Sequence, residues 1–154
     1  RGRTLLDLRR APAGLPARLT QLFGEEKAAA LHEVAHEHGG FRLAGYLSPP
    51  STSACHWSRE LQFVYLNGRW IRRLDFVHRA VNSAYAKCFN LLTATRRWPD
   101  RGGGDAAAAA AAYALFVLRL ECAPDRCDVL VEPDKASVEF DDWLAARACV
   151  AGLL

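Results

Sequence analysis

Between residues 61 and 92 the chain passes from a strand-like pattern, through a tight turn, into a long helical one, and this passage constrains the fold more than any other feature. Residues 61 to 66 are rich in aromatic and branched side chains and stop at Asn67-Gly68, a dipeptide suited to a hairpin turn. From Asp75, a residue suited to N-capping, the apolar positions are Phe76, Val77, Ala80, Val81, Ala84, Tyr85, Cys88, Phe89 and Leu92. That spacing draws one apolar stripe along a helix. A strand, a turn and a helix in this order require a layered domain that mixes both element types.

The rest of the chain extends the pattern. Residues 4 to 8 read as the end of a strand, and residues 15 to 23 as a short helix closed by Gly24. Phe41, Leu43, Gly45 and Leu47 alternate in a strand that stops at Pro49-Pro50, with a loop running to about Ser58. Residues 113 to 120 and 128 to 131 are strand-like around the turn Ala123-Pro124-Asp125, and residues 137 to 140 suggest a short further strand. Trp143, Leu144, Ala146, Cys149, Val150 and Leu153 form a closing amphipathic helix. The reading is an α+β domain with a sheet of four to five strands and helices packed on one face. Pattern alone leaves the strand order open. Residues 98 to 112, with Gly102-Gly103-Gly104 and seven consecutive alanines, are a biased insert to which no chemistry is assigned.

With 154 residues, 51% of them hydrophobic and 24% charged, the chain has the balance of one globular domain rather than a disordered tail. It opens at Arg1 without any Met and is expected to be a segment of a longer protein. No apolar run approaches the roughly 20 residues a spanning helix needs, so no membrane partner is expected. Five cysteines, an odd number without zinc-type pairing, fit free thiols in a reducing compartment. The net charge of +3 is unevenly spread. Residues 59 to 101 hold nine Lys or Arg against three acids, +6, which leaves −3 elsewhere. Such a basic face suits a polyanion.

Several strings carry candidate chemistry. His32-Glu33-Val34-Ala35-His36 is a literal H-E-x-x-H, which on a helix would place two imidazoles on one zinc ion with Glu33 activating water. The third ligand position of a metzincin falls on Arg42, and the same residues alternate as an exposed strand, where the two histidines stand roughly 13 Å apart. No metal is assigned. His56 and His78 have no nucleophile at a recognisable spacing. Arg69, Arg72 and Arg73 follow a strand, and Arg79 and Lys87 lie on the helix after it, an arrangement suited to phosphate-backbone contacts. Glu132-Pro133-Asp134-Lys135 reads as a rigid turn presenting one lysine outward, a point charge able to meet a phosphate.

Taken in order, Gly2-Arg3-Thr4-Leu5-Leu6, Leu22-Phe23-Gly24, Gly45-Tyr46-Leu47-Ser48, the Leu61-to-Arg69 string ending in Asn67-Gly68-Arg69, and Asp128-Val129-Leu130-Val131-Glu132-Pro133-Asp134-Lys135 resemble the transducer domain of MutL-type DNA mismatch repair proteins. The resemblance covers nearly the whole chain. Glu132, where most of that family has His, together with Trp143, resembles the third eukaryotic MutL homologue. The resemblance implies a ribosomal-protein-S5 domain 2-like fold with a left-handed β-α-β crossover, and a strand around His32. It implies that residues 1 to 14 end a GHKL ATPase domain and link it to a transducer domain over 15 to 154. It implies ATP with magnesium bound mainly by that upstream domain, Lys135 reaching the terminal phosphate, and Arg69 on a DNA-binding surface. A second MutL-family subunit and a nuclear location follow from it too. The alternatives are a stand-alone S5-like nucleic-acid-binding module and, from the histidine string, a zinc hydrolase.

Overall fold

A computed structural model of the chain describes residues 14 to 51, 53 to 56, 58 to 94, 112 to 132 and 135 to 154. The strand read at residues 4 to 8, the insert up to residue 111, and Pro133 and Asp134 lie outside the described residues.

Two antiparallel hairpins and one inserted strand make the main sheet. The first hairpin is β1 (His32–His38) with β2 (Phe41–Leu47), and the second is β3 (Gln62–Leu66) with β4 (Arg69–Ile71). β5 (Phe116–Glu121) lies between them, antiparallel to β2 and parallel to β3, so the order is β1-β2-β5-β3-β4. A parallel neighbour cannot be reached by a tight turn. The chain makes the crossover through α3 (Asp75–Ala94), the helix expected from the stripe at Phe76 to Leu92. The result is a mixed five-stranded sheet in an α+β domain, consistent with the S5 domain 2-like fold.

Register decides which side chains meet. Leu43 faces Leu120 and Gly45 faces Leu118 across β2 and β5, while Val64 and Leu66 stand beside Leu118 and Leu120 across β3 and β5. These residues share one sheet face and are buried with Val77, Val81, Tyr85 and Phe89 of α3. The closing helix α4 (Trp143–Leu153), capped by Asp142 accepting from the Ala145 amide at 2.8 Å, adds Ala146, Cys149 and Val150 to the same core. The other face receives the short α1 (Leu15–Phe23), whose Phe23 ring meets Phe63 at 6.1 Å. A one-turn α2 (Glu25–Ala29) joins it to β1. Gly45 is required by close approach: a Cβ there would run into the Val117 backbone carbonyl of the neighbouring strand.

Two late segments pair with each other rather than joining this sheet. β6 (Cys127–Glu132) and β7 (Lys135–Phe140) form a separate antiparallel hairpin, with Glu132 opposite Lys135. β7 starts earlier than the strand expected at residues 137 to 140, because the β6 ladder continues to its end. Phe140 fixes the hairpin to the body. Its ring meets Phe41 at 5.6 Å, Phe76 at 5.7 Å and Trp143 at 5.0 Å, all edge to face. At the hairpin's base Arg126 stacks on Phe41 at 4.6 Å, donates to Asp141 at 3.0 Å and donates to the Gly39 carbonyl.

Candidate functional site

The second hairpin turn sets the position of the first candidate residue. Asn67 (φ 47) and Gly68 (φ 79) both adopt positive φ, as a tight two-residue hairpin turn requires. The Asn67 side chain also holds the far end of β5, accepting from the Cys122 amide at 3.0 Å and donating to Cys127 Sγ at 3.5 Å. Burial, reinforced by the neighbouring Cys127, pushes the Cys122 thiol up to about 11, so it stays protonated and unreactive. All five cysteines are free thiols.

Arg69 leaves this turn exposed at the start of β4, an edge strand. Trp70 beside it is 52% exposed, and Ile71, next in line, is buried. Arg72 and Arg73 follow in the link to α3, which is pinned by buried Leu74. Asp75 accepts from Arg73 Nε at 2.6 Å and from Arg79 at 3.4 Å, so one carboxylate serves two arginines. Both guanidinium groups are mostly exposed, and such pairs contribute little to stability.

Arg72, Arg73 and Arg79 converge on a groove of about 520 Å³, whose wall also holds Arg59, His78 and Tyr113. Arg69 is not in that wall, and neither is Lys87 on α3. The expected basic face therefore divides into a groove and a separate edge residue. Arg59 and Tyr113 enter the groove from segments far apart in sequence: Arg59 donates to the Tyr113 hydroxyl at 3.3 Å and lies over its ring at 4.8 Å. Sequence spacing held no sign of this pair, because only the parallel β3–β5 register brings the two segments to one end of the sheet. Gln62 and Asn82 exchange side-chain hydrogen bonds at 2.7 and 3.1 Å and close the floor.

Lys135 begins β7 opposite Glu132 at the turn end of the β6–β7 hairpin. The H-E-x-x-H string lies in β1, so the geometry of two helical imidazoles one turn apart does not arise. His32 and His36 stand four strand residues apart on the face toward α4, where a Cβ on Gly152 would press into the His36 ring and the Cys149 thiol donates to the His36 carbonyl. Among the described residues no helix is long and apolar enough to cross a membrane.

This architecture matches known proteins. A family model described as the C-terminal domain of DNA mismatch repair proteins covers residues 19 to 95, half of the chain. The DNA mismatch repair protein MutL of Pelobacter propionicus is 34% identical over 139 residues, covering 90% of this chain and 19% of that protein. Human DNA mismatch repair protein Mlh3 is 25% identical over 147 residues, covering 87% of this chain and 9% of that protein. The crystal structure of the N-terminal domain of a DNA repair protein superposes with a TM-score of 0.65 over 88% of this chain and 38% of that one, at 20% identity, and so speaks for the fold. Fold and motifs together define a DNA mismatch repair domain. The chain belongs to the MutL family, as its C-terminal or transducer domain, and spans less than a fifth of the length of these two relatives.

Proposed function

We propose that this domain couples the ATP state of an upstream GHKL domain to DNA binding and to the conformational cycle of a MutL-type dimer. The observation that carries the DNA half is the convergence of Arg72, Arg73 and Arg79 on one groove, with exposed Arg69 on the neighbouring edge strand. Guanidinium groups displayed without a base-reading helix suit the phosphate backbone, where binding gains from release of condensed counterions. The ATP half rests on family membership and on the placement of Lys135 at a hairpin end. There its ammonium would reach the terminal phosphate of ATP held by the neighbouring domain and stabilise the charge that the transferring phosphoryl group carries. In this reading the magnesium ligands belong to the upstream domain.

Residues 1 to 14 would be the end of that domain and the link to this one. Glu132 ahead of Pro133, with Trp143 soon after, supports placing the parent with the third eukaryotic MutL homologue, which would make it nuclear. The partners in this reading are the DNA backbone, the upstream domain and a second MutL-family subunit.

Charge reversal tests the DNA half. A triple Arg69→Glu, Arg72→Glu, Arg73→Glu variant is expected to fold normally and to lose duplex affinity regardless of base sequence. Its log affinity should fall less steeply with log salt, by about 0.9 for each phosphate contact removed. A well-folded triple variant with the parent's affinity and salt slope would remove these arginines from the interface.

A further inference from the structure

The groove beside α3 has features that backbone contact does not need. A phosphodiester running over a surface meets a few mobile charges, whereas about 520 Å³ of concave space is the size of pocket that holds a small molecule. Four arginines line it against one carboxylate, Asp75, which already serves Arg73 and Arg79. Arg59 and Arg72 have no carboxylate partner among the described residues. The Arg59 guanidinium carbon lies over the Tyr113 ring at 4.8 Å, its NH2 group donates to the Tyr113 hydroxyl, and Arg59 is exposed. Planar guanidinium groups layered on an aromatic ring are surfaces on which unpaired bases stack. His78, which also lines the groove, donates from Nδ1 to the Leu74 carbonyl at 2.8 Å.

We infer that this groove binds one unpaired nucleotide, its phosphate against Arg72, Arg73 and Arg79 and its base stacked on Arg59 over Tyr113. This deepens the DNA reading and rests on it for the phosphate contacts, while the stacking layer of Arg59 and Tyr113 is independent of it. The same chemistry is offered by a free nucleotide and by the unpaired end of a nucleic-acid strand.

The test uses the whole chain with inorganic phosphate, thymidine 5′-monophosphate, a short oligothymidylate and a blunt duplex, titrated by calorimetry. The monophosphate and the oligothymidylate should each bind on the order of tenfold more tightly than phosphate, the step one stacked base supplies. A tighter oligothymidylate than monophosphate identifies a strand as the source, and equal affinities identify the free nucleotide. Arg59→Lys keeps the charge but loses the plane, so it should retain phosphate binding and lose the nucleotide preference; Arg59→Ala should lose both in part. Equal affinity for phosphate and nucleotide in the parent, or an unchanged preference in Arg59→Lys, overturns the pocket. Unchanged duplex binding in the triple glutamate variant would instead defeat the backbone reading and leave the pocket's preference measurable.

Discussion

The basic groove and the β6–β7 hairpin are built in opposite ways. In the groove, exposed arginines alternate with deeply buried neighbours: Ile71, Leu74 and Val77 are anchored in the core within a few residues of Arg72, Arg73 and Arg79. Charge is thus carried on a rigid wall, and its loss removes a contact without loosening the fold. The hairpin carries its candidate lysine at one end and its anchor, Phe140, at the other, the full length of β7 away. A short two-stranded ribbon has little stability of its own. Its position is inherited from the aromatic cluster at its base, so a core substitution is able to disturb the candidate lysine at the far end of the hairpin.

The sharpest way to break this comparison is Phe140→Ala, which opens a hole among Phe41, Phe76 and Trp143. It is expected to cost about 3 to 5 kcal/mol of unfolding free energy in denaturant melts. The β6–β7 amides should lose hydrogen-exchange protection more than those of β3. Uniform loss across both would show that the hairpin and the sheet form one cooperative unit.

Next in size is Lys135→Ala. Joined to the ATPase domain that the proposed function places upstream, the variant should hydrolyse ATP slower by one to a few powers of ten, about 1.4 kcal/mol of barrier for each tenfold. In the chain alone the melting temperature should scarcely move, since in the proposed reading the lysine acts on a nucleotide held by another domain and not within this fold. Lys135→Arg separates point charge from reach in the same assays. Undiminished turnover in the alanine variant would take Lys135 out of the mechanism.

The smallest effect has the opposite sign on the two properties it touches. Asp75→Asn removes the carboxylate shared by Arg73 and Arg79 and should cost about 1 kcal/mol or less of stability, as exposed ion pairs do. It should also strengthen duplex binding several-fold at low salt, because two arginines are released to phosphates. Weaker binding would mean that Asp75 positions those arginines rather than competing with the ligand.

Much of this organisation was legible in the chain, because local periodicity reports local structure. The stripe from Phe76 to Leu92 became α3, and the alternation of Phe41, Leu43, Gly45 and Leu47 became β2. Asn67-Gly68 became the turn that delivers Arg69. What did not show was of two kinds. β4 has three residues, too few for any period, and α2 has five. The strand order and the Arg59–Tyr113 layer depend on pairing between distant segments, which leaves no trace in spacing. The basic charge between residues 59 and 101 was visible as a sum, yet only the fold divides it into a groove and the isolated Arg69.

The place of β5 in the sheet bears on how the chain is born. Both hairpins, β1–β2 and β3–β4, are complete in sequence before β5 is made, yet β5 is the strand that lies between them. During synthesis the ribosome therefore releases two ribbons whose inner edges, β2 and β3, have no partner, and it goes on through α3 and the alanine-rich stretch before the missing strand appears. Open edges of this kind recruit other chains, and long-range pairing is slow. The interval between translating Leu66 and Phe116 is the period in which this domain most needs a chaperone, and slower elongation there would lower the yield of folded protein without altering a single native contact.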